Sequence, residues 1–216
     1  MKYLTLLLAL VATMATAQIN VGGHGTIHPT QYKAGQTASV SIDRMPATLA
    51  EFTNLQDQVA KTPEGAVMMV LVAMEMYNRD RALGKQCVEM ANVSGNYYSI
   101  INRLPDVFIP EEQGGRPYQV AAFFDGAKPE NGYNPKSPYT INVRTSKVRS
   151  YEKVQSLKGY VLYLEVFSEG FDTNWRGVEV IKQKGSSVYK VNNCPSLYTR
   201  CKELDFESPR EYEGLK

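Results

Sequence analysis

The sequence predicts an α+β fold, with N-terminal helices, one of them buried and central, packed on a C-terminal antiparallel sheet of about five strands. Three observations lead there. Apolar residues recur at helical spacing up to about residue 104, and from Tyr118 onward short strand-like runs replace them, Tyr139–Thr145 alternating most clearly. Nine consecutive residues, Ala66 to Met74, are apolar. The connections between the later segments are short, which favours an antiparallel meander.

Residues 1–17 read as a signal peptide. Lys2 supplies the charge, Leu4–Ala12 the apolar stretch and Ala15-Thr16-Ala17 the small-residue cleavage site. No Cys follows it, so a lipid anchor is not expected, and the chain is read as exported, to the periplasm or outside the cell. Residues 18–44, rich in Gly, Thr and Pro, read as a flexible lead-in, with Thr37–Asp43 a possible edge strand. Residues 45–201 form a single α+β domain, and 202–216 a charged, frayed tail.

The first helix lies within Thr48–Ala60, with Leu49, Phe52, Leu55 and Val59 on one face. Thr48 caps it and Glu51 completes a capping box. The second is the buried run. Thr62 caps it, Pro63 suits its first position, and Glu64 complements the helix dipole. It has no polar face between Ala66 and Met74, and a bilayer span needs about 20 apolar residues, so protein must cover it. Its methionines fill core space rather than bind metal, since no Cys or His accompanies them. A third helix runs Arg81–Ala91 behind an Asp80 cap, weakened by Gly84. A fourth covers Tyr97–Leu104 and ends at Pro105. Strands are expected at 118–124, 139–145, 160–167, 176–183 and 187–192, with a hairpin turn at Lys184-Gly185-Ser186.

Several function classes are excluded or weakened. The formal charge of +2 is near neutral and interspersed, which argues against nucleic acid. No later stretch is long enough to cross a membrane. No cofactor motif appears. His24 and His28, the only histidines, lie in a glycine-rich segment without further ligands, so no metal site is expected. Cys194 and Cys201 are placed for a local disulfide, leaving Cys87 as a buried free thiol.

The most unusual connection is the loop 125–138, DGAKPENGYNPKSP. Tyr133 could project from its tip as an aromatic anchor, with Asn131, Asn134 and Lys136 beside it; the alternative is a rigid loop packed on its own sheet by Tyr133. Tyr118, Tyr139, Tyr160, Tyr163 and Tyr189 on strands offer a tyrosine-lined face for sugar or peptide, or ordinary strand propensity. Glu165, Glu169, Asp172 and Glu179 near strand ends keep a carboxylate-based hydrolase open, though Glu165 reads first as solvent-facing or paired with Lys182 or Lys190.

The helix TPEGAVMMVLVAMEMYN, the loop AKPENGYNPKSPYTINV and the strands GYVLYLEVFSEG and WRGVEVIKQKGSSVYKV, in this order, resemble an uncharacterised bacterial domain-of-unknown-function family. The resemblance covers roughly residues 45–193, implies the α+β fold and carries over no catalytic residue. The expected function is a non-catalytic exported module that binds a protein or glycan through the loop 125–138 and the adjoining sheet. The alternatives are the hydrolase and a small-ligand carrier with a pocket between helices and sheet.

Overall fold

The computed structural model describes residues 18–149, 151–155, 157, 159–205, 207, 212 and 214–216. Residues 1–17, the segment read as a signal peptide, lie outside them. Four helices, α1 (Leu49–Val59), α2 (Pro63–Arg79), α3 (Arg81–Ala91) and α4 (Tyr97–Val107), cover one face of an antiparallel sheet. Its strands are β1 (Val21–His24), β2 (Thr37–Ile42), β3 (Tyr139–Thr145), β4 (Glu152–Val154), β5 (Gly159–Phe167), β6 (Trp175–Ile181) and β7 (Lys190–Asn193). Their order is β1-β2-β3-β5-β6-β7, with β4 paired to β5. Among the described residues the sheet therefore has seven strands rather than about five. One additional strand, β1, comes from the stretch expected to be a flexible lead-in; it pairs with β2, so the strand expected at the edge over Thr37–Asp43 lies inside the sheet.

The caps work as their chemistry dictates. Thr48 accepts from the Glu51 N–H at 3.2 Å and Thr62 from the Gly65 N–H at 3.2 Å. Asp80 Oδ1 accepts from the N–H groups of Ala82 and Leu83. Glu51 does not close a reciprocal box; its carboxylate takes the Ala47 N–H at 2.7 Å and the Arg44 guanidinium at 2.8 Å.

Every residue of α2 from Pro63 to Tyr77 is buried. Met68, Leu71 and Met74 have no exposed surface, so the space a carrier would need between helices and sheet is filled. Both ends of α2 carry buried glutamates. Glu64 accepts from the Ile27 N–H at 3.3 Å and so ties down the N-terminal stretch. Glu75 faces Arg79, Asn78 and the C-terminal residues Tyr212 and Leu215. The last residues pack too: Leu215 is buried, and the Met45 N–H donates to the Lys216 carbonyl at 2.8 Å.

Helices α2 and α3 meet at Gly84. A Cβ there would lie 2.0 Å from the Tyr77 Cα, so the glycine that weakens α3 locally is what lets the two backbones touch. Helix α4 runs through Pro105 to Val107 instead of ending before the proline; Leu104 and Val107, both buried, hold the last turn.

Residues 118–124 are not a strand. They form successive turns, with Ala122 N–H donating to Tyr118 O and Phe123 N–H to Val120 O. All seven side chains are buried, a composition that suits a core strand or a core turn equally. The Gln119 amide decides for the turn. Its Nε2 donates to the carbonyls of Leu197 and Thr199, and its Oε1 accepts from the Cys201 N–H. One side chain thus pairs the backbone of the C-terminal segment, a task a neighbouring strand would otherwise perform.

Candidate functional site

The loop 125–138 does not present Tyr133 at an exposed tip. Tyr133 has no exposed surface; its ring stacks on Tyr118 at 4.9 Å and its hydroxyl donates to the Lys202 carbonyl at 3.1 Å. Two consecutive residues in the left-handed region, Gly132 at φ 69° and Tyr133 at φ 52°, turn the ring inward. Asn131 serves the loop itself, donating to the Gly126 carbonyl at 2.7 Å and accepting from the Lys128 N–H. Asn134 Nδ2 lies 3.5 Å from the Asn131 carbonyl, and Lys136 stands exposed nearby. These four residues do not converge on a shared concavity.

The expected Cys194–Cys201 disulfide is absent: both are buried free thiols, as is Cys87. The two face different neighbours. Cys194 sits near Glu179, whereas Cys201 lies among Tyr133, Arg116 and Glu111. Burial pushes all three thiols up to about 12. His24 lies in β1 and His28 precedes a short 3-10 turn at Pro29–Gln31, both exposed.

The carboxylates come together in part. On the sheet face away from the helices, Glu165 stands opposite Gly177, and Glu179 opposite Tyr163. The two acids are thus diagonal neighbours, about 7–8 Å apart along the backbone grid. A Cβ on Gly177 would touch nothing, so the position between them is open. Ser146, Arg149, Asn193 and Ser196 help wall a trough of about 410 Å³ there. Glu165 accepts from Arg144 Nε at 2.6 Å and Ser146 Oγ at 3.2 Å. Its partner is Arg144 rather than Lys182 or Lys190, because Arg144 stands directly opposite in the ladder. Glu179 accepts from Asn192 Nδ2 at 3.0 Å and from Arg149 at 3.4 Å. The two guanidiniums cover the nearby rings, Arg144 over Trp175 at 4.0 Å and Arg149 over Tyr163 at 3.7 Å. In the trough the Tyr163 ring is therefore covered by a guanidinium. Asp172 lies elsewhere, paired with Lys202 at 3.1 Å.

The tyrosines separate into two groups. Tyr118, Tyr139 and Tyr163 are buried. Tyr160 and Tyr189 instead join Tyr151 in a groove of about 360 Å³, completed by Pro29, Leu162 and Lys182. The alternation of β5 points Tyr160 and Leu162 to the helix-bearing face, so the groove lies where that face runs out from under the helices. Tyr189 is anchored there by its N–H, which donates to the Ala60 carbonyl at the end of α1. The Tyr151 and Tyr160 rings meet edge to face at 5.7 Å and 62°. Behind them, Tyr32 packs on Tyr151 at 5.8 Å, and its hydroxyl donates to the Arg149 carbonyl at 2.9 Å, which fixes the approach to β4. Lys182 Nζ sits 5.4 Å from the centre of the Tyr189 ring. Burial and the nearby Glu64 both raise the Tyr189 hydroxyl, keeping it a neutral donor.

Of the large hydrophobic side chains exposed among the described residues, Val21, Tyr98, Val148, Tyr151 and Tyr160, two line this one groove. Tyr151 is 47% exposed and Tyr160 51%. The strand pattern of the sequence points to Tyr160 and Tyr189 but not to Tyr151, which lies outside the expected strands and has charged residues close on both sides.

Residues 44–205 match the model of a family described as Domain of unknown function (DUF6935), a span that includes Cys194 and Cys201 as well as the helices and most of the sheet. No curated protein and no solved structure matches the chain.

Proposed function

The chain belongs to the family described as Domain of unknown function (DUF6935), and within it we propose that this protein is a non-catalytic exported module that binds a saccharide in the Tyr151–Tyr160–Tyr189 groove. The observation that supports the reading is the pair of half-exposed rings set edge to face over an apolar floor. A pyranose has an apolar C–H face and a rim of hydroxyls. Tyrosine offers a matching ring face and a hydroxyl, and its two side-chain torsions cost little to order. Relative to the loop 125–138, whose aromatic side chain is packed inside, this groove leaves ring surface available to a ligand.

The test is calorimetric or NMR titration with a panel of soluble oligosaccharides. Tyr160→Ala should weaken binding about tenfold or more, while Tyr98→Ala, an equally exposed tyrosine on α4, should leave it unchanged. Equal effects of both changes, or no binding by any oligosaccharide, would remove the reading.

The hydrolase alternative retains one supporting observation, the placement of Glu165 and Glu179 across Gly177. It predicts that the trough cleaves a glycoside and that Glu165→Gln abolishes the cleavage. Against it, each of the two carboxylates is already engaged by a guanidinium.

A further inference from the structure

The tyrosine groove has a charge as well as a shape. β4 pairs with β5 so that Lys153 stands directly opposite Tyr160. On the other flank Val161 pairs with Ile181, which brings the next residue, Lys182, beside Tyr160. A lysine therefore stands on each side of the most exposed ring of the groove, in one row running across the sheet. The period-2 alternation keeps Lys153 on the face of Tyr160 and sends Glu152 to the opposite face. There Glu152 accepts from the Tyr163 hydroxyl at 2.9 Å. On the helix side, the carboxylate of Glu64 is buried and faces the Ile27 N–H. Among the described residues that line the groove, Lys182 is the charged one. Both lysines are exposed, and neither has an ion-pair partner among the described residues.

Two cations without an ion-pair partner among the described residues, flanking an aromatic platform, have a simple chemical complement. Resting on the reading that the groove holds a saccharide, we infer that its ligand is an acidic one, a chain of uronate-type sugars whose ring stacks on Tyr160 and whose carboxylates reach Lys153 and Lys182. The lysines discriminate against a neutral sugar. Each exposed charge contact contributes modestly, so the preference for the acidic over the neutral sugar is several-fold to about tenfold and falls as salt screens it.

The experiment titrates the full chain with trigalacturonate, its neutral galactose counterpart and a short polyglutamate, at about 20 and about 300 mM salt. The expected result is tightest binding of trigalacturonate at low salt, with the advantage shrinking at high salt. Lys182→Gln and Lys153→Gln should each cut the acidic preference several-fold by weakening acidic binding more than neutral binding; Tyr160→Ala should weaken both sugars. All three sites are exposed, so the variants should keep the parent's melting profile, which is measured alongside. Equal binding of the acidic and neutral sugars overturns the inference while the saccharide reading stands. Binding of polyglutamate as strong as trigalacturonate, insensitive to Tyr160→Ala, overturns it in favour of an acidic peptide. No binding of either sugar overturns both.

Discussion

Replacing Gly84 with Ala sets two effects of known size against each other. In an isolated helix the change would stabilise α3 by about 1 kcal/mol, because alanine loses less backbone entropy and is the better helix former. In the folded protein the new Cβ would lie 2.0 Å from Tyr77 Cα, 2.1 Å from Tyr77 N and 2.6 Å from Met76 C. Carbon contacts are comfortable at about 3.5–4.0 Å. All three atoms are backbone, so no rotamer change relieves them; α3 must move off α2 by about 1.5 Å. A gap of that size forfeits much of the dispersion between Cys87, Val88 and Ala91 and the α2 surface. Overpacking costs about 1–3 kcal/mol, and a rigid backbone clash belongs at or above the top of that range. Against a gain of about 1 kcal/mol, the expected net loss is about 2 kcal/mol or more, a fall in Tm of about 4–8 °C for a domain of this size. Urea denaturation followed by circular dichroism measures it, with an unchanged m-value showing that two-state unfolding persists. Gly177→Ala is the control: its Cβ would meet nothing, so stability should move by no more than about 0.5 kcal/mol. A Gly84→Ala protein more stable than the parent would refute the close helix contact.

Two further predictions concern buried ionisable groups. Burial raises Glu75 from 4.5 to about 7, the nearby Arg79 only partly offsetting it, so the folded state holds its proton more tightly than the unfolded chain. That stabilisation is complete below pH 4.5, is lost as pH rises through about 7, and amounts to about 3 kcal/mol. Relative to Glu75→Gln, the parent should therefore lose stability between about pH 5 and 7 and then level off; parallel stability–pH curves for the two proteins would contradict the burial argument. For the cysteines, a thiol reagent at pH 8 without reductant should find no reactive group in the native protein and all three in denaturant, whereas a single thiol in denaturant would mean that Cys194 and Cys201 are bonded.

The legible parts of the fold are those whose signals sit within a turn or two of the residue concerned. Thr62 and Asp80 mark helix starts because a cap needs only the next three N–H groups. The alternation in Tyr139–Thr145 identifies β3 and its inward face, because period 2 is a property of the strand itself. Residues 118–124 defeated the same reasoning, since burial on all sides erases any period. The partner that fixes their conformation, the backbone of residues 197–201, lies far along the chain. β4 was missed because three exposed or half-exposed residues make no pattern at all.

The sequence by itself determined that α2 would be a buried pillar, capped at Thr62 and too apolar to show a wet face, and that a sheet would have to cover it. It determined that this sheet would be antiparallel. Only the tertiary structure decided where the surface chemistry falls. Tyr133 and Tyr160 each follow a glycine in the sequence. One is turned inward by a left-handed backbone pair and stacked on Tyr118; the other is left at the uncovered end of the sheet between two lysines. The physical reason is range. Caps and periods depend on neighbours in sequence, but a groove built from Pro29, Tyr151, Tyr160, Lys182 and Tyr189 exists only once strand register brings those residues together.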